Sequence, residues 1–406
     1  MTATSAARSV PTEANGFISM AEGLRTDLRA SASETEALGR IPDAIFDKLD
    51  QAGAFQMLSP AKYGGAQVDL QTYLHTIVET ARGDMGVAWA LNIINISNWG
   101  GAMILPRETA DTIFSTPGGA RLAGVFSART LKSRQTAAGL HVEDGIWAFN
   151  SGINHANWDM LGVPIKDSGD QVIDEGLALI PCGELEILDD WDVIALRGSG
   201  SNSVRLRDYV VKPDYIGAFG KMRREGYVSP NVENELLYRI SGTGWGALVL
   251  TFPIIGGGLG AIDHFLEKVE KRGIQYTQYL RQADAPVIHQ HLGRATAKVN
   301  AALTIASSAA HLLEETARRG DTLTHMESFA IRRDCGMAAS MVWEAVDLLA
   351  SASGGSFIAS SHPLNRVWRD VRAGTQHGAI NIDTVMEAYG RQLCGLPSNM
   401  TMPGTE

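Results

Sequence analysis

The sequence predicts an α+β protein in three parts: an N-terminal helical domain (1–118), a middle β-domain of barrel or sandwich type (119–230) and a C-terminal four-helix bundle (231–406). Two observations predict it. Apolar residues recur at helical spacing before residue 118 and again after residue 234. Between those stretches, short apolar runs are cut by Gly, Asp and Asn, as in strands joined by tight turns.

The elements follow in order. Over 41–58, Ile45, Phe46, Leu49 and Ala52 fall on one helical face, and Gly53 and Pro60 end the run. Residues 60–65 are a loop by their Pro and Gly content, and helical spacing returns over 70–96. Residues 139–143, 146–149, 176–181 and 203–211 read as strands, within a domain of six to eight. Residues 260–277, 289–318, 324–352 and 381–393 read as helices with short connections, the pattern of an antiparallel bundle. The apolar stretch 245–261 is interrupted by Pro253 and the Gly256–Gly257–Gly258 run, and is expected to fall short of a membrane span. That glycine run lacks the Lys-Ser/Thr ending of a phosphate loop and is read as close helix packing or a bend.

Composition narrows the function classes. The chain has 406 residues, 45% hydrophobic and 20% charged, enough for a sizeable core. A formal net charge of -10 argues against nucleic acid as a partner, because phosphate binding needs a basic surface. Cys182, Cys335 and Cys394 are scattered, which predicts neither a disulfide framework nor a metal site and fits a reducing cytoplasm. His155, His289, His291 and His362 share no ligand spacing, so no metal is expected. The first fifteen residues lack the apolar core of a signal peptide. No Gly-x-Gly-x-x-Gly follows a strand, so no nicotinamide site is expected.

Four stretches together resemble the acyl-CoA dehydrogenase superfamily. They are LDQAGAFQMLSPAKYGG (49–65), GIWAFNSGINHANW (145–158), LRGSGSNSV (196–204) and PLNRVWRD (363–370), in the family's order and spread over most of the chain. The superfamily holds two relevant chemistries. Its dehydrogenases abstract an α-proton with a carboxylate and pass hydride to FAD. Its two-component flavin monooxygenases, which include p-hydroxyphenylacetate hydroxylase oxygenase components and dibenzothiophene monooxygenases, take reduced flavin from a separate reductase and transfer one oxygen atom through a C4a-hydroperoxide. In many dehydrogenases a Tyr-Glu-Gly-Thr stretch after the Arg-Asp signature supplies the base. Here the run after Asp370 is VRAGTQHGA, with His377 at the tyrosine position and Gly378 at the glutamate position. Glycine cannot take a proton, so the resemblance points to the monooxygenase branch.

That resemblance implies the site residues. His377 is the first catalytic candidate: an imidazole near ~6.5 can take a proton from a substrate, orient a peroxide or contact substrate. Ser151 stands where a hydroxyl or backbone group approaches flavin N5, which needs an acceptor for its N–H. Ser127 and Arg129 fall on the family's first flavin-contact loop, and Ser199 on a turn that would bind ribityl or phosphate. Asn98 and Trp99 fall where the helical domain meets the cofactor and would line the substrate pocket. Arg369 and Asp370 are expected to pair with each other and fix a late helix. The implied cofactors are reduced FMN or FAD with O2. The implied partners are an aromatic or polycyclic substrate, an NAD(P)H:flavin reductase and further copies of the chain in a cytoplasmic homotetramer, with a dimer as the alternative, and neither nucleic acid nor membrane. Two rivals stand beside this reading: an acyl-CoA dehydrogenase with its base relocated, for which Glu233 and Glu235 are candidates, and a flavin-fold protein without catalysis.

Overall fold

A computed structural model describes residues 14–400. Five helices open the chain: α1 (Ala14–Leu38), α2 (Asp43–Gln51), α3 (Leu70–Gly83), α4 (Met85–Ile104) and α5 (Arg107–Phe114). Asp69 and Asp84 cap α3 and α4, each side chain accepting from an N–H in the first turn, at Thr72 and Val87. The helix α4 is buried on nearly every side, because it lies between the strands and the C-terminal helices.

Eight strands follow: β1 (Leu122–Val125), β2 (Thr130–Thr136), β3 (Gly139–Trp147), β4 (Trp158–Lys166), β5 (Val172–Pro181), β6 (Glu186–Ile187), β7 (Val204–Val211) and β8 (Ile216–Gly217). They form two four-stranded sheets, ordered β1-β4-β5-β8 and β2-β3-β7-β6. All pairs are antiparallel except β1 with β4. A small core that includes Trp147, Leu161, Ile180 and Leu206 holds the two sheets together.

The short α6 (Phe219–Glu225) leads into α7 (Gly242–Val269), α8 (Pro286–Arg318), α9 (His325–Ala352), α10 (Pro363–Gly374) and α11 (Ile382–Leu393). The sequence reading is corrected at α7. Residues 245–261 are not broken: one 28-residue helix runs through both Pro253 and the glycines. Proline removes the N–H that would bond the carbonyl four residues back. That carbonyl, on Val249, accepts instead from Asn92 Nδ2 at 3.1 Å. The glycines are there for contact. A Cβ on Gly256 would lie 2.2 Å from Val78 O, and one on Gly258 would lie 2.7 Å from the Val342 side chain. By length and composition α7 could cross a membrane, but 89% of its apolar stretch is buried, as the central helix of the bundle.

A second correction concerns the late Arg-Asp pair. Arg369 does not pair with Asp370. With Arg366 it clamps Glu36 of α1, at 2.6 and 3.0 Å. Asp370 is buried and accepts from Leu196 N at 2.6 Å, which ties α10 to the 196–201 turn.

Candidate active site

A cavity of about 1230 Å³ opens where α4, the strand ends and the bundle meet. It exceeds the ~300–1,000 Å³ of a typical small-molecule site, so it has room for a cofactor and a substrate together. Its walls are mainly apolar and aromatic, including Trp89, Trp99, Phe126, Phe149 and Tyr238.

On the strand side, a chain of hydroxyls has its direction set from one end. Ser199 Oγ lies 2.7 Å from Leu196 O, and a carbonyl can only accept, so Ser199 donates there. Ser199 must then accept from Ser201 Oγ, 2.7 Å away. Ser201 in turn accepts from Ser151 Oγ, also at 2.7 Å. Behind Ser151, Trp89 Nε1 donates to its Oγ at 3.3 Å. With its proton spent on Ser201, Ser151 has only acceptor capacity left to offer the cavity. Asp370 fixes the far end through Leu196 N–H.

Local backbone makes this possible. Leu196 and Phe149 both hold positive φ, 51° and 62°, a costly conformation for residues with side chains. Gly152 follows Ser151 at φ 80°, and a Cβ there would lie 3.0 Å from Ile94, so only glycine turns the chain beside α4. Phe149 stays 73% exposed beside the serines, an apolar face that an aromatic ring system would cover.

His377 lines the same cavity, its ring centroid 6.3 Å from that of Trp89. One indole therefore touches Ser151 through its N–H and approaches His377 through its ring. His377 Nδ1 accepts from Ala379 N at 3.2 Å, which assigns the proton of the neutral ring to Nε2. The residue is open to the cavity, and the protein atoms near its ring disfavour the charged form and lower its pKa from the ordinary imidazole value.

Of the other expected residues, Ser199 lies in the hydroxyl chain, and Trp99 lines the cavity while its Nε1 donates to Leu237 O. Asn98 does not line it and is corrected to a structural role. Its Nδ2 donates to Phe55 O, Ser59 Oγ and Ala120 O, and its Oδ1 accepts from Leu122 N. Ser127 and Arg129 are exposed and stand off the cavity wall, where their neighbour Phe126 faces in. Trp89, Ser201 and Arg332 line the cavity and were missed. The Ser-Gly-Ser-Asn-Ser spacing at 199–203 was the available signal for Ser201; nothing in the sequence marked the other two.

Among the described residues lining the cavity, the one carboxylate is Asp321, which is exposed and bound to Arg319 at 2.9 Å. Glu233 and Glu235 are exposed outside it. A dehydrogenase base is thus missing from this set. The cavity has the features a flavin needs: aromatic walls for a planar ring, and at Ser151 a fixed hydrogen-bond acceptor.

Comparison with known proteins agrees with this geometry. Residues 19–105 match the acyl-CoA dehydrogenase N-terminal domain, and residues 248–382 match the acyl-CoA dehydrogenase C-terminal domain. The flavin-dependent monooxygenase oxygenase subunit HsaA of Rhodococcus jostii (strain RHA1) is 29% identical over 388 residues, 94% of this chain and 99% of the relative. The solved structure of XiaF from Streptomyces sp., in complex with FADH2 and glycerol, has a TM-score of 0.87 at 27% identity, covering 95% of this chain and 97% of its own. The 3-HSA hydroxylase from Rhodococcus sp. RHA1 has a TM-score of 0.88 at 27% identity, covering 96% and 100%.

Proposed function

We propose a function from one premise: this chain belongs to the acyl-CoA dehydrogenase superfamily, in the branch of two-component flavin monooxygenase oxygenase subunits. It is an oxygenase component that uses reduced FAD or FMN and O2 on an aromatic substrate, with the reduced flavin supplied by a separate reductase. Bound reduced flavin supplies the electrons that activate O2 for transfer of one oxygen atom.

The chain's own residues supply the rest. Ser151 would hold the flavin's N5–H, because its remaining capacity is that of an acceptor. Ser201 and Ser199 keep it so by consuming its proton. His377 would donate from Nε2 to an oxygen of substrate or oxidant. Its occupied Nδ1 and depressed pKa favour this donor role over the proton-accepting role also considered for it. The aromatic walls, covered by the bound ring systems, would limit water at the reacting centre. Ser127 and Arg129 would reach only the outer parts of the cofactor. A homotetramer built through the C-terminal bundle and a cytoplasmic location complete the proposal.

The polarised hydroxyl chain ending at Ser151 is the observation that carries this reading. The test is anaerobic binding of FMNH2 and FADH2 to the purified protein, followed by admission of oxygen with a panel of phenols. Retention of reduced flavin in preference to oxidised flavin, with hydroxylated product, is expected. Tight binding of oxidised FAD that an acyl-CoA bleaches would restore the dehydrogenase instead.

A further inference from the structure

The α9 side of the cavity carries a charge that nothing among the described residues balances. Arg332, on α9, is only 5% exposed. Its Nε is buried without a partner. Its Nη1 meets only the thioether of Met400, at 3.6 Å, a weak acceptor. Among the described residues no carboxylate pairs with it. Elsewhere in the fold, arginines with little exposure find one: Arg82 grips Asp263, and Arg366 and Arg369 share Glu36. Burial pulls the Arg332 pKa down, opposed only by the neighbouring Cys335 thiol, yet a guanidinium stays protonated near neutral pH. An uncompensated buried cation is costly, so a fold that keeps one at a cavity wall has a reason outside its own packing.

Position supplies that reason. Arg332 lines the same cavity as His377 and Ser151. Its helix packs against the segment just after His377, since a Cβ on Gly336 would lie 3.2 Å from Ile380 O. Arg332 is one turn before Gly336, on the same helical face. Ser328 and His325 also line the cavity, at spacings of four and seven residues from Arg332, so α9 presents one polar stripe to a cavity whose walls are mainly apolar. A planar guanidinium fork matches a carboxylate in shape as well as charge.

We infer that the α9 end of the cavity binds the carboxylate of an aromatic acid substrate through Arg332, with Ser328 beside it as a hydroxyl donor. The inference rests on the monooxygenase reading and narrows its substrate class. It makes the substrate two-ended: the ring carbon to be oxidised lies toward His377, and the acid group lies toward α9.

The test uses the assembled full-length protein and measures binding by calorimetry near neutral pH. The probes are 4-hydroxybenzoate, 4-hydroxyphenylacetate and 3-(4-hydroxyphenyl)propanoate, each against its primary amide, which has the same shape without the charge. Wild type should bind at least one acid ~10- to 100-fold tighter than its amide, the range of a charged hydrogen bond. In Arg332→Met that preference should collapse, and Arg332→Lys should keep part of it. The melting temperature of Arg332→Met should equal or exceed that of wild type, because the variant removes an unpaired buried charge. Equal binding of acid and amide by wild type, no binding of any acid, or a preference that survives in Arg332→Met overturns the inference. A clear fall in melting temperature would show that Arg332 is structural, and would overturn it too. Binding of reduced flavin, measured on the same samples, separates the two failures. If wild type does not hold reduced flavin, the monooxygenase reading falls; if it does and acids are not preferred, only this inference falls.

Discussion

The two ends of the cavity treat polar groups in opposite ways. At the strand end, Trp89, Ser151, Ser201, Ser199 and Leu196 form one chain in which every donor has an acceptor. At the α9 end, Arg332 is buried with its Nε unmatched. A satisfied network stores direction: its geometry decides which atoms give and which accept. An unsatisfied charge stores affinity for whatever completes it. One region is therefore suited to hold a cofactor in a single protonation pattern, and the other to choose a substrate.

The strongest way to break this contrast is at Ser151. Ser151→Ala removes the acceptor and should lower coupled product formation by ~10²- to 10³-fold, the size of one lost preorganised contact at a reacting centre. Peroxide release should rise as product falls, and the product-to-peroxide ratio is the measurement. An unchanged ratio would remove Ser151 from the reaction.

The next effect is on stability. His155 is a satisfied group of another kind, a buried imidazole whose Nε2 accepts from Ile41 N at 3.1 Å. Burial, aided by Arg40 and Arg121, pushes its pKa down to about 4. The folded state thus resists a proton that the unfolded chain takes near ~6.5. Stability is full above that value and falls as pH drops from there toward 4, by on the order of 3 kcal/mol. Thermal melts of wild type against His155→Gln, which keeps an acceptor, should show this loss as the difference between the two across that window.

The Asn150–Asp159 pair sharpens the contrast from the other side. Asn150 Nδ2 donates to Asp159 Oδ2 at 2.6 Å, while Asn150 Oδ1 and Asp159 Oδ1 both lack partners. Burial raises the Asp159 pKa to about 7. A proton on Asp159 supplies the donor this pair lacks, so here the missing partner is a proton and not a ligand. The sign is opposite to that of His155. The contribution is whole below the usual carboxylate pKa and is lost as pH rises through 7. Asp159→Asn should abolish this decline, which runs from the usual carboxylate pKa up to 7, so that the opposite slope of His155 over the same window stands out in the melting temperature.

The smallest effect tests direction alone. Ser201→Ala leaves Ser151 in place but frees its proton, so Ser151 can donate as well as accept. Oxidised flavin has an acceptor at N5 where reduced flavin has a donor. The ratio of oxidised to reduced flavin dissociation constants should therefore shrink by ~10-fold, about one ordinary hydrogen bond. An unchanged ratio would show that the hydroxyl chain does not set the polarity at Ser151.

Much of this was legible in the sequence because it is local. Spacing of apolar residues sorts the chain into helical, stranded and helical thirds without any knowledge of contacts. The run after Asp370 shows glycine where a base would stand, and no folding is needed to see it. Ser151 and His377 could be singled out by position. The reading failed where an environment overrode a local rule. Pro253 did not end a helix, because Asn92, far away in sequence, takes over the carbonyl it releases. Asn98 looked like a pocket residue and is consumed by four backbone and side-chain bonds.

The sequence by itself determined the order of the three parts, the glycine at 378 where a base would stand, and the candidates Ser151 and His377. The tertiary structure alone decided what those side chains can do. Trp89 and Ser151 are 62 residues apart, Ser151 and Ser201 50 apart, and the direction of their chain exists only once they meet. Arg332 reads in sequence like any helical arginine; its burial, its missing partner and its place on the cavity wall are properties of the packed bundle. Periodicity is written residue by residue along the chain, whereas hydrogen-bond direction and charge compensation depend on which distant groups are brought within reach.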